Sequence, residues 1–153
     1  MAIATSEQSV VDSVPHQLYI GGEWRDGSAG TLPVEDPATG ETLTEVADAT
    51  PEDADAALQA ATDAFKDFRN MSPRERGDIL RRAYDMIMER QDDLALLMTL
   101  EMGKPVAESK AEIVYAANFF RWYSEEAVRI NGRFTINENG KGRVLTMKQP
   151  IGP

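Results

Sequence analysis

Leu100-Glu101-Met102-Gly103-Lys104-Pro105 closes a helix and forbids its continuation. Glycine accepts the left-handed conformation that caps a helix C-terminus, and proline cannot extend one. Upstream, the run from Asp92 through Leu94, Leu97 and Met98 has helical spacing and leads into this stop. Downstream, a second helical pattern occupies residues 108–130. Its apolar positions Ile113, Ala116, Phe120, Tyr123, Ala127 and Ile130 are spaced as a core stripe, and Tyr115, Phe119 and Trp122 form an aromatic flank beside it. Together they cover about half the circumference, more than a one-sided surface helix needs, which predicts two contact surfaces.

Two further helices precede these. Thr50-Pro51-Glu52-Asp53 supplies a capping hydroxyl, a proline where a missing N–H costs nothing, and acids at the positive end of the helix dipole. The stripe Ala54, Ala57, Leu58, Ala61, Phe65 and Phe68 follows as the expected buried face. Ser72-Pro73-Arg74-Glu75 reads as a capping box, with Leu80, Ala83, Tyr84 and Ile87 turned inward. Paired strands flank the helical region. Gly21-Gly22 joins Gln17–Ile20 to Glu23–Arg25, and Pro37-Ala38-Thr39-Gly40 joins Val34–Asp36 to Glu41–Val46. A turn centred on Asn139-Gly140 joins Arg133–Ile136 to Arg143–Lys148. Residues 1–14 lack periodicity and are expected to form a flexible arm. The result is an α/β chain with helices grouped in the middle.

The composition narrows the function. Among 153 residues, 26 acids against 16 bases give a net charge of −10, which repels nucleic-acid phosphates and anionic membrane surfaces. No apolar run has membrane-spanning length, and the start has neither the basic stretch nor the apolar centre of a secretory signal. A cytoplasmic protein that binds neither nucleic acid nor membrane is expected. The chain has no cysteine, so it carries no thiol nucleophile and no thiolate metal site. His16, the sole histidine, is expected to be a solvated loop residue. The acidic pairs Asp92-Asp93 and Glu125-Glu126 are adjacent in helices, diverge, and do not suit paired acid–base work. Neither a G-x-G-x-x-G nor a P-loop motif is present.

Four stretches in order resemble the amino-terminal part of the aldehyde dehydrogenase superfamily. They are Leu18-Tyr19-Ile20-Gly21-Gly22-Glu23-Trp24, Asp36-Pro37-Ala38-Thr39-Gly40-Glu41, Leu100–Pro105 and Lys148-Gln149-Pro150-Ile151-Gly152-Pro153. Each alone is weak, and their order makes them specific. The stretch from Ala117 to Ala127 is similar to the succinate-semialdehyde dehydrogenase branch.

The resemblance implies that residues 15–132 are the amino-terminal part of an NAD(P)-binding domain and residues 133–153 the start of an oligomerisation hairpin. It also implies a homo-oligomeric enzyme that uses NAD or NADP to oxidise an aldehyde, succinate semialdehyde or a relative, to the acid. In such enzymes a cysteine thiolate attacks the carbonyl, hydride passes to the nicotinamide, and a glutamate activates the releasing water. That machinery lies downstream in the family. This chain, read as an amino-terminal fragment of the enzyme, is therefore expected to hold no catalytic or cofactor-binding residue and to be inactive alone. The alternative is a short, non-catalytic module that associates with full-length subunits. By the same resemblance Tyr115, Phe119 and Trp122 border the substrate tunnel, although such a stripe equally suits ordinary helix packing. Val34, Glu35 and Glu101 match a monovalent-cation site found in some members, or else Glu101 only decorates a helix end.

Overall fold

A computed structural model describes residues 5–153, with side-chain environments from Glu7 onward. Three antiparallel hairpins flank a run of helices along the chain, two before it and one after. Helix α1 (Thr5–Asp12) precedes β1 (Leu18–Ile20) and β2 (Glu23–Arg25), which pair to each other, and β3 (Gly30–Glu35) pairs with β4 (Thr42–Asp48). Then come α2 (Pro51–Phe68), α3 (Pro73–Glu89), α4 (Gln91–Met102) and α5 (Val106–Glu126). A 3₁₀ turn (Ala127–Arg129) leads to the pair β5 (Arg133–Ile136) and β6 (Arg143–Thr146).

The local signals act as the residues dictate. Gly21 and Gly22 both take positive φ, 66° and 91°, which makes the tight turn between β1 and β2 possible. Thr50 and Asp53 form a reciprocal capping box on α2, as do Ser72 and Glu75 on α3. Gly103 closes α4 at φ 79°. At the turn between β3 and β4, buried Asp36 accepts from the Ala38 N–H at 2.8 Å and from the Thr39 hydroxyl at 3.1 Å.

The arm expected over residues 1–14 is, within the described residues, largely helical. Positions 1–4 lie outside that range. Val11 on α1 is buried with Leu43 of β4 and Leu100 of α4, and Val34, Leu96 and Leu97 pack against them. One well-placed valine gives this short segment a core contact that its polar composition hides. His16 corrects a second expectation, because it is half-buried rather than solvated. One ring nitrogen lies 3.1 Å from the Val11 carbonyl oxygen and the other 3.0 Å from the Thr44 hydroxyl, so the ring ties the end of α1 to β4.

A second packing centre joins α3, α4 and α5 through small side chains. Ala95, Ser109, Ala117, Ser124 and Gly77 are all buried. The hydroxyls of Thr99 and Ser109 meet at 2.9 Å across the α4–α5 contact. Leu80, Ala83, Tyr84 and Ile87 of α3 are half-buried, as expected. On α5 the expected stripe is displaced. Only Ile113 and Ala127 are half-buried, while Ala116, Phe120, Tyr123 and Ile130 are exposed. Small residues take the inward face, and at Ser124 the bare Gly77 lets the backbones of α3 and α5 approach, leaving no room there for an aromatic ring. On α2 only Ala57 and Phe65 of the expected stripe are half-buried, with Leu58 and Phe68 exposed, since this helix rests chiefly on β1.

Candidate functional site

With small residues facing inward, the large side chains of α5 face outward. Tyr115, Phe119 and Trp122 are 65%, 47% and 63% exposed, outside the core that this chain forms. With Asn118 and Tyr123 they line a depression of about 320 Å³. Tyr115 and Phe119 meet edge to face, with centroids 5.0 Å apart and planes at 87°, a favourable quadrupole arrangement that holds both rings. The surface so formed is an apolar wall with one amide in it. It offers van der Waals contact and shape, with the Tyr115 and Tyr123 hydroxyls as further polar groups, and no carboxylate, amine or imidazole lines it.

The residues matched to a cation site fall on two segments that meet where α4 ends. A Cβ placed on Gly103 would lie 2.9 Å from Cγ of Pro37, so the helix stop abuts the turn after β3. Val34 is half-buried against the Val11–Leu43–Leu100 cluster, whereas Glu35 and Glu101 are exposed. Among the described residues no three or more His, Asp or Glu side chains gather as a metal site.

Asp53 is the most perturbed acid. Its carboxylate accepts from the backbone N–H of Thr50 (2.9 Å) and of Ser28 (3.0 Å), and from the hydroxyls of Ser28 (2.9 Å) and Thr50 (3.2 Å). These donors, the Thr50 and Ser28 N–H groups first, lower its pKa from 3.8 to about 2. Glu75 is lowered in the same direction by the Ser72 hydroxyl and N–H. Both acids serve helix capping. Sequence reading placed Asp53 at the first turn of α2, but its long-range partner Ser28 carries no sequence signal.

That capping bears on cofactor chemistry. Among the described elements, a strand leads directly into a helix only from β4 to α2, and there the N-terminal position that could receive a phosphate is filled by the Asp53 carboxylate. The N-terminus of α2 is thus satisfied by its own carboxylate and offers no free donors to an anion. Nor is any helix among the described residues long and apolar enough to cross a membrane.

The order of hairpins and helices matches a known class of oxidoreductase. The model of the aldehyde dehydrogenase family covers residues 24–153, and the chain belongs to that family. It is 45% identical over 143 residues to "Succinate-semialdehyde dehydrogenase [NADP(+)] 1" of Schizosaccharomyces pombe, covering 93% of this chain and 29% of the relative. It is 44% identical over 137 residues to the glutarate-semialdehyde dehydrogenase of Pseudomonas aeruginosa, covering 89% of this chain and 28% of that one. Among solved structures, succinate-semialdehyde dehydrogenase from Burkholderia pseudomallei superposes with a TM-score of 0.87 at 42% identity, over 92% of this chain and 30% of that chain. Betaine aldehyde dehydrogenase from Staphylococcus aureus in complex with NAD+ gives 0.83 at 28% identity, over 88% and 27%. The chain therefore spans under a third of the length of these relatives, and the shared fold is that of their amino-terminal part.

Proposed function

We propose that the chain forms the amino-terminal helices and hairpins of an NAD(P)-dependent aldehyde dehydrogenase that oxidises succinate semialdehyde, or a closely related ω-carboxylated aldehyde, to the acid. The observation that carries this reading is the 45% identity across nearly the whole chain to an enzyme named for that substrate. Similar identity to a glutarate-semialdehyde dehydrogenase supports the wider class of semialdehydes. In this reading residues 15–132 belong to the NAD(P)-binding domain, and Tyr115, Phe119 and Trp122 wall the substrate passage. They restrict its width and exclude water, and they take no part in bond making. Val34, Glu35 and Glu101 contribute oxygens to a structural monovalent cation. The reading places the enzyme in the cytoplasm.

Residues 133–153 open the hairpin through which subunits associate. Every residue of β5 and β6 is exposed, including Phe134, Ile136, Val144 and Leu145, which supports a homo-oligomer. The same exposure favours a second reading, a non-catalytic module that binds full-length subunits. The DNA after the Pro153 codon distinguishes them: an open frame encoding a Pro-Trp-Asn motif supports the enzyme, and an immediate stop supports the module. The activity test is NAD(P)H formation by the polypeptide encoded there with succinate semialdehyde, glutarate semialdehyde and betaine aldehyde. Preference for betaine aldehyde would reject the substrate class. The 153-residue chain alone is expected to give no aldehyde-dependent NAD(P)H, because it has no cysteine.

A further inference from the structure

No further inference is drawn: the strongest candidate, the groove between the end of α2, the start of α3 and the last residues of the chain, with Phe65, Phe68, Ile130 and Pro150 as its apolar lining and Arg69 and Lys148 as cations, carries nothing because nothing in the structure shows what covers it.

Discussion

A Cβ at Gly77 would lie 2.7 Å from the backbone carbonyl oxygen of Ser124, so α3 and α5 meet where a glycine hydrogen faces a peptide group. Backbone atoms cannot swing aside as a flexible side chain would. Alanine ordinarily favours a helix over glycine by about 1 kcal/mol. Overpacking a tight contact costs about 1–3 kcal/mol. We predict that Gly77→Ala lowers stability despite the better helix former, and that Gly77→Val lowers it further. Denaturant midpoints of the three proteins check this, and an unchanged or raised midpoint for Gly77→Ala would contradict the close approach.

Asp53 should leave a signature in acid. Its folded pKa of about 2 is below its ordinary value of 3.8. Folding thus favours the ionised form, and its contribution is fully present above the ordinary value and lost as pH falls through the folded one. Between about pH 4 and 2 the unfolded chain binds the proton first and stability declines. Asp53→Asn cannot titrate, so it should be less stable near neutrality and show a shallower decline across this interval. Parallel slopes for the two proteins would rule out Asp53 as a contributor.

The His16 bridge predicts a local effect. Removing the ring leaves the Thr44 hydroxyl without that partner in a half-buried place and the Val11 carbonyl with only the Val14 N–H at 3.4 Å, at a cost of about 1–3 kcal/mol for the unsatisfied hydroxyl. His16→Ala should speed amide exchange in α1 and at the start of β4 more than in α3. Uniform exchange changes across the chain would refute the tie between α1 and β4.

Phe119 separates a wall from a core. It is 47% exposed in this chain, so Phe119→Ala should cost well under the roughly 3–5 kcal/mol expected for a buried phenylalanine. In the catalytically complete polypeptide the same change should alter discrimination between short acidic and bulky aldehydes by about 1–3 kcal/mol in kcat/KM. The check is kcat/KM for several aldehydes beside a melting curve of the variant. Unchanged selectivity with a large loss of stability would return Phe119 to the core.

Much of the fold was legible because its signals are local. Thr50-Pro51, Ser72-Pro73 and Gly103 each act through their own backbone within a few residues, and all three boundaries occur as read. The aromatic flank was also legible as a second arc on α5. Which arc faces inward was not, because apolar spacing ranks Phe120 and Tyr123 above Ser109 and Ser124. The inward arc meets partners on other helices, among them Gly77 at Ser124 and Thr99 at Ser109, which spacing along α5 does not encode. Val11 and His16 were missed for the same reason, since their partners Leu43, Leu100 and Thr44 are distant in sequence.

The seam of Ser109, Ala117 and Ser124 on α5 has a consequence for redesign. A helix held by such short side chains has little freedom to roll, so the azimuth of its outward aromatic row is set from behind by residues that touch no ligand. Added bulk along the seam would have to be taken up by a shift of α5 or by lost stability, and a shift would carry Tyr115, Phe119 and Trp122 together because one helix bears all three. If the row walls a substrate passage as proposed, preference would be tuned from the buried side of the helix, leaving every side chain of the wall in place.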